Sequence, residues 1–264
     1  SGLSAYLSSR NKAKAQASGF LIKRGLWLIL VEITLVTFGL TFNPFFNFFI
    51  LQVIWAIGFS MVTLGLLMRI SYQVVLIAGI VLFFGHNIVD YPDLPQNGVA
   101  GNLWSLFLTS SGRVIPIDSS HMIGVFYAIL PWTGVMLMGY SIGKWFQKDF
   151  PAEKRKRLLL ITGSSLILLF IILRILKGYG NPGGWDGKNL YSFLDTSKYP
   201  PSLQYCCMTL GPGTIFLALA ESVRSGWSRF VSVYGRVPFF YYILHFYLIH
   251  TLTLIAFFAT GHTT

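Results

Sequence analysis

Long apolar runs recur from one end of this chain to the other, and they constrain its fold more than any short motif does. A bilayer core of roughly 30 Å requires a helix of about 20 apolar residues to cross it. Only 11% of the residues are charged, against about 25% in a typical soluble domain, so polar side chains are too few to cover a water-facing surface. The sequence therefore predicts an all-α, polytopic integral membrane bundle.

Seven spans can be drawn in this bundle, and residues 1–264 are expected to form a single transmembrane domain. The spans cover residues 25–42, 47–68, 72–90, 122–143, 158–176, 202–222 and 237–260. The two longer polar connections, 91–121 and 177–201, are rich in Gly, Pro, Asp and Asn, which favour turns. Within the sixth span, Gly211-Pro212-Gly213 predicts a broken or kinked helix rather than a phosphate-binding loop.

The basic residues predict how the bundle is oriented. If the spans alternate, fifteen of the twenty Lys and Arg residues fall on one side of the membrane and five on the other. Positive residues concentrate in cytoplasmic loops, so we expect the N-terminus and the loop 144–157 in the cytoplasm and both long connections outside. The same distribution accounts for the net charge of +11 without nucleic-acid binding, which we do not expect.

Polar residues gather at the outer ends of the third and fourth spans. His86 and Asp90 are four residues apart, which places both on one helix face, where the carboxylate could orient the imidazole as a general base. Asn87 lies beside them, and His121 follows Asp118 at the start of the fourth span. The same residues are typical of an ordinary polar helix end, so both interpretations stay open. Their spacing does not predict a metal site.

Glu32 lies near the middle of a predicted span, within LWLILVEITLVTFG. A carboxylate at the membrane centre costs on the order of 3 kcal/mol on insertion scales, and it therefore usually faces a partner or a cavity. We expect the Glu32 side chain to lie within hydrogen-bonding distance of a polar group on another helix. That contact could be structural or part of a functional site.

Five segments, in order over nearly the whole chain, carry a family resemblance: RGLWLILVEITLVTFGLTFN, FFGHNIVD, GVMLMGYSIGKWF, KYPPSLQYCCMTLGP and YGRVPFFYYILHFYLIH. They resemble bacterial membrane proteins that carry the heparan-alpha-glucosaminide N-acetyltransferase catalytic-like domain. The resemblance implies a multi-span acyltransferase of the bacterial inner membrane. It would use cytoplasmic acetyl-CoA or another acyl-CoA, and no metal, to modify a hydroxyl or amino group at the outer face.

Acyl transfer requires a general base for the acceptor and hydrogen-bond donors for the oxyanion, and the outer polar residues include both types. His86 with Asp90, and His121 near them, are the candidate acid–base residues, while Asn87 is the candidate donor. The candidates for binding the CoA phosphates are the basic residues that by position lie at the cytoplasmic mouth, namely Lys23, Arg24 and Arg236.

The resemblance also implies a longer natural chain. Members of the family usually begin with two further spans and close with one more span and a basic tail. SGLSAYL is similar to the end of the second of those spans, and the GHTT end follows a span directly. The histidine expected to act in acyl transfer would then lie in the preceding segment, outside this sequence.

Two other functions stay open on the sequence. The chain could be a non-catalytic accessory subunit packed in a larger membrane protein complex, because a family fold does not guarantee the family's activity. It could also be a transporter, for which an intramembrane Glu32 and a broken helix at residues 211–213 are typical. The expected partners are the lipid bilayer, other membrane subunits in the accessory case, and a saccharide or lipid-linked acceptor in the enzyme.

Cysteine labelling tests the predicted orientation. After Cys206→Ala and Cys207→Ala remove the native thiols, Asn97→Cys should react with a membrane-impermeant maleimide added outside intact cells. Glu153→Cys should react only after the membrane is permeabilised, because the basic loop around it is expected in the cytoplasm. Labelling of the Glu153→Cys protein from outside, with none of the Asn97→Cys protein, would contradict the orientation.

Overall fold

The computed structural model describes residues 1–109, 112–181, 185–223 and 225–261, the side chains of residues 227–229 excepted. Its α-helices are α1 (Gly2–Ser9), α2 (Lys14–Val31), α3 (Thr37–Thr41), α4 (Val53–Leu67), α5 (Tyr72–Gly85), α6 (Gly98–Trp104), α7 (Ile129–Ile142), α8 (Ala152–Leu176), α9 (Leu190–Leu194), α10 (Leu203–Ala220), α11 (Gly226–Arg236) and α12 (Pro238–Ala259). Its strands are β1 (Phe48–Leu51), β2 (Arg113–Pro116) and β3 (Met122–Val125). A π-helical turn, Glu32–Val36, joins α2 to α3, and another, Ser105–Thr109, extends α6. Tight 3-10 turns extend α5 over His86–Asp90 and α7 over Gly143–Phe146.

Four helical segments in the described residues are long and apolar enough to cross a membrane. They are Tyr72–Asp90, Ala152–Leu176, Leu203–Ala220 and Pro238–Ala259. Each coincides with one of the seven predicted spans, and together they support the integral-membrane assignment. Helix Val53–Leu67 is apolar but shorter, and the seven-span arrangement stays a prediction.

Two predicted spans, 47–68 and 122–143, begin with a strand instead of a helix. β1 pairs in parallel with β3, and β2 pairs antiparallel with β3, which gives the strand order β1-β3-β2. In this register Phe48 lies opposite Met122. Pairing between segments this far apart leaves no local signal, because a short apolar run looks the same in a strand and in a buried helix.

Glycines lie where the main helices cross. Gly25 of α2 faces Gly58 of α4, and a Cβ added to Gly25 would lie 2.5 Å from the Gly58 carbonyl oxygen. Gly163 of α8 faces Gly211 of α10 in the same way, at 2.8 Å from the Gly211 carbonyl oxygen. The missing side chains let the backbones approach closely, which is how small residues join membrane helices.

Helix α10 continues through Pro212 from Leu203 to Ala220, so a break at residues 211–213 is wrong, while the alternative of a kink there stays a prediction. Proline removes one backbone hydrogen bond, which neighbouring helices allow a membrane helix to tolerate. The first glycine of the motif, Gly211, serves the close contact with α8. At Gly213 nothing lies within 4 Å of an added Cβ.

Substitution at the two glycines tests this packing. Gly211→Ala should destabilise the protein by about 1–3 kcal/mol, as overpacking typically does, because its Cβ would lie 2.7 Å from Ile167 Cγ1 and 3.1 Å from the Gly163 carbonyl oxygen. Gly213→Ala is the matched control and should leave the melting temperature unchanged or raise it, since Ala favours helix. Equal melting temperatures of the two detergent-solubilised variants would contradict the crossing.

Candidate functional site

Glu32 is fully buried, and its carboxylate caps the start of helix α4. Glu32 Oε1 accepts a hydrogen bond at 2.6 Å from the backbone N–H of Gln52, the residue that immediately precedes α4. The N–H groups of Ile54 and Trp55 also stabilise the carboxylate, as free amides at a helix N-terminus do. The prediction that Glu32 contacts a polar group of another helix is therefore confirmed.

A cavity of about 600 Å³, here called the Arg24 cavity, lies between α1, α2, α4 and α12. Its lining is mostly apolar, and its polar side chains include Ser4, Ser8, Arg24 and Tyr242. Arg24 and Leu28 line it and Glu32 follows at the same interval of four, so one face of the helix leads from Arg24 to the carboxylate. Eight residues of helix correspond to about 12 Å.

Tyr242 lines the Arg24 cavity from α12 at the level of Glu32. Helix α12 runs alongside α3 and the π-helical turn Glu32–Val36, since the Tyr247 hydroxyl donates to the Leu35 carbonyl at 2.7 Å and His250 Nδ1 lies 3.1 Å from the Leu40 carbonyl. Five residues before Tyr247, Tyr242 lies on the same helix, and its hydroxyl interacts electrostatically with the Glu32 carboxylate. The side of the cavity that Tyr242 lines is here called its inner end, and Glu32 itself is not part of the lining.

His86 and Asn87 hold the start of helix α10. His86 Nε2 lies 2.9 Å from the Pro201 carbonyl oxygen, and Nδ1 lies 2.9 Å from that of Leu82. Asn87 Oδ1 accepts a hydrogen bond from the Leu203 N–H at 2.7 Å. Both side chains are buried, and both nitrogens of His86 and the Oδ1 atom of Asn87 contact the backbone.

Asp90 does not orient His86, contrary to the expectation from their spacing. Residues His86–Asp90 form a 3-10 turn, in which side chains three apart come together instead of those four apart. Asp90 Oδ2 accordingly accepts a hydrogen bond from Asn87 Nδ2 at 2.6 Å. None of these three residues lines the Arg24 cavity, and their catalytic roles stay predictions.

His121 pairs with Asp118 in the outer connection, with 3.0 Å between His121 Nδ1 and Asp118 Oδ2. Hydrogen bonds from the backbone N–H of Ser120 and from His121 lower the pKa of Asp118 to about 2, so this carboxylate is ionised at neutral pH. Within the described part of the chain, no hydrogen bond joins this pair to His86 or Asp90, and no cluster of three or more His, Cys, Asp or Glu could hold a metal.

The three basic candidates for CoA binding differ in position. Arg24 lines the cavity that bears its name. All three side chains are exposed, and Lys23 and Arg236 do not belong to the lining of the cavity. Arg236 is the last residue of α11, two positions before α12 begins at Pro238.

Arg174 is a buried cation for which the sequence gives little signal. Only 1% of its surface is exposed. Its Nε donates to the Phe193 carbonyl at 2.9 Å, and its Nη2 donates to the Ser192 carbonyl at 2.6 Å, so it fastens the outer connection 177–201 to α8. From the sequence, a basic residue at the end of an apolar run is expected to extend its side chain to the membrane surface. The burial of Arg174 is therefore not predicted from its position.

A family model described as "Heparan-alpha-glucosaminide N-acetyltransferase, catalytic" matches residues 1–173. The match includes Arg24, Glu32 and the four outer candidates His86, Asn87, Asp90 and His121. It ends before α10 and α12, so two of the five segments that carry the resemblance lie beyond it. No curated protein and no solved structure matches the chain.

Loss of the Asn87 side chain should destabilise the protein. Asn87→Ala leaves the buried N–H of Leu203 without its acceptor, which typically costs about 1–3 kcal/mol, and the melting temperature should fall accordingly. Asp90→Asn is the control, because an amide oxygen at position 90 can still accept from Asn87. A melting temperature of Asn87→Ala equal to that of Asp90→Asn would show that Asn87 does not hold α10.

Proposed function

The chain belongs to the heparan-alpha-glucosaminide N-acetyltransferase catalytic family, and we propose that it is a membrane-embedded acyltransferase. It transfers an acyl group from acetyl-CoA, or another acyl-CoA, on the cytoplasmic side to a hydroxyl or amino acceptor at the outer face. The family match supports the reaction class, and four apolar helices support the membrane location. The observation that carries the proposal is the Arg24 cavity.

The chemistry of the Arg24 cavity suits an acyl-CoA. Its volume of about 600 Å³ falls within the range of about 300–1,000 Å³ common for small-molecule sites. The Arg24 guanidinium can form charge-assisted hydrogen bonds with a phosphate. The apolar walls, which include Leu28, Ile57 and Met61, offer contact to the pantetheine arm and the acyl chain. With the phosphates at Arg24, the thioester at the far end of the arm would point towards the inner end.

In this proposal His86 and Asn87 position the outer end of α10 rather than exchange protons. A general base needs a nitrogen that can reach the proton of the acceptor. Both nitrogens of His86 already face carbonyl oxygens. The Pro201–Leu203 corner that the two residues hold lies at the end of the outer connection 177–201, where the acceptor is expected to arrive.

The accessory-subunit alternative has one observation in its favour. None of the apolar segment of α12 is buried within the described chain, so the side chains of this helix are available to contact lipid or another subunit. Binding of acyl-CoA separates the two functions, because a subunit that only packs in a complex has no need of a nucleotide site. The transporter interpretation loses one of its two features, because α10 is unbroken.

Removal of the Arg24 charge should weaken acyl-CoA binding. Arg24→Gln is expected to raise the Kd of the full chain for acetyl-CoA about tenfold or more, since a hydrogen bond to a charged group contributes about 1.5–3 kcal/mol and 1.4 kcal/mol is tenfold. Lys23→Gln removes the same charge from the neighbouring position outside the cavity and should change the Kd far less.

Calorimetry on the full chain in lipid nanodiscs measures the Kd for acetyl-CoA of the unchanged protein and of each variant. Equal effects of the two substitutions would contradict the placement of the phosphates at Arg24. A full chain that binds no acetyl-CoA would contradict the acyltransferase proposal and favour the accessory subunit.

A further inference from the structure

Helix α11 connects two of the helices that are long and apolar enough to cross a membrane. Helix α10 ends at Ala220 and α12 begins at Pro238, so both ends of the connection are tied to spans at the same side of the bilayer. The eleven residues of α11 correspond to about 16 Å of helix, which is too short to cross the membrane core. The helix is therefore held close to the membrane surface.

The residues of α11 separate into an apolar and a polar side. Successive residues of a helix are about 100° apart, and this angle places four exposed apolar residues on one side: Phe230, Val231, Val233 and Tyr234. The other side carries Ser232, Gly235 and Arg236. A short helix with one apolar and one polar, basic side characteristically lies in the boundary between lipid headgroups and acyl chains.

Aromatic contacts fix α11 against the start of α12. The ring of Tyr234 stacks on that of Tyr241, with 5.3 Å between the ring centroids. Phe230 packs edge-on against Tyr234 at the same distance. Val237 leaves the helical conformation, and Pro238 begins the next helix. The apolar side of α11 therefore continues into the apolar surface of a predicted span, as expected where a surface helix meets the bilayer.

The charge of this connection suits an anionic surface. Residues 222–237 contain three Arg and no Asp or Glu. The side chain of Arg236 is exposed, and a guanidinium forms charge-assisted hydrogen bonds with phosphate oxygens. Basic segments next to a membrane span are attracted by leaflets that contain anionic lipids. A phospholipid with a net negative charge therefore complements both sides of α11.

We propose that α11 binds the surface of a membrane rich in anionic phospholipid, with a headgroup phosphate at Arg236 and the apolar side among the acyl chains. This assigns Arg236 to a lipid phosphate instead of a CoA phosphate, in agreement with its position outside the lining of the Arg24 cavity. Pro238 and Phe239, which follow closely, do line that cavity, so the bound lipid lies beside its wall. The inference does not depend on the acyltransferase proposal.

Nitroxide labels on opposite sides of α11 test where the helix lies. With Cys206→Ala and Cys207→Ala in the full chain, labels at Val233→Cys and Gly235→Cys are compared in nanodiscs that contain phosphatidylglycerol. The two positions are about 200° apart, and nothing lies within 4 Å of a Cβ added at Gly235. The label at position 233 should be reached by oxygen and shielded from a water-soluble nickel chelate, and the label at position 235 should show the reverse.

Two results of the labelling would contradict the proposal. Access of the nickel chelate to both labels would place the apolar side of α11 in water. Shielding of both labels from oxygen and from nickel would show that another protein, or a second copy of this chain, covers the helix.

Lipid titration followed by native mass spectrometry tests the role of Arg236. In the detergent-solubilised full chain, Arg236→Gln should raise the Kd for phosphatidylglycerol about fivefold, the effect of one cation near an anionic surface. The affinity for phosphatidylcholine, which carries a phosphate but no net charge, should stay the same. Lys188→Gln is the matched control, because it removes an exposed cation from the connection 177–201.

Equal Kd values for phosphatidylglycerol in the Arg236→Gln and Lys188→Gln proteins would overturn the lipid site. An Arg236→Gln protein with an unchanged affinity for phosphatidylglycerol and a raised Kd for acetyl-CoA would assign the guanidinium to a CoA phosphate instead. Neither the labels nor the lipid titration uses acetyl-CoA, so the result for α11 is separate from that for the acyltransferase proposal.

Discussion

In a bilayer, a buried polar group finds its partner inside the protein or is left without one, and the structure of this chain depends on that constraint. The contact between Glu32 and the Gln52 N–H is its clearest case. A carboxylate that would be unfavourable among lipid chains stabilises the free amides at the start of α4, which are equally in need of a partner. This hydrogen bond thus gives the Glu32 carboxylate and the Gln52 N–H a partner each, and it holds the end of α2 against the start of α4.

The same constraint accounts for the outer end of the bundle. The guanidinium of Arg174 is surrounded by carbonyl oxygens of the outer connection, and His86 and Asn87 bind the backbone around Pro201 and Leu203. His86 and Asn87 look reactive in the sequence, yet their hydrogen-bonding groups are occupied within the protein. In contrast, Tyr242 lines the Arg24 cavity with a hydroxyl that has no hydrogen-bond partner among the described residues.

Some helix pairs in this structure pack closely, whereas others leave a cavity between them. Glycines at the crossings bring α2 against α4 and α8 against α10, so little room remains along these contacts. Room remains where α12, which is mostly exposed within the chain, meets α1, α2 and α4. The Arg24 cavity forms there, and the Arg24 guanidinium and the Tyr242 hydroxyl are among the polar groups that line it.

The sequence by itself determined the helical membrane character and the need of Glu32 for a polar partner on another helix, because hydrophobic length and the unfavourable burial of a lone carboxylate are local properties. It also indicated the family, through segments such as RGLWLILVEITLVTFGLTFN. It failed where two distant segments meet: β1 pairs with β3, and Gly211 contacts α8 instead of breaking a helix. It also failed at one local turn, because His86–Asp90 form a 3-10 turn in which Asp90 accepts a hydrogen bond from Asn87. Only the tertiary structure decided which polar atoms are already paired and which remain free, because hydrogen-bond partners more than a hundred residues apart, such as His86 and Pro201, leave no trace in local spacing.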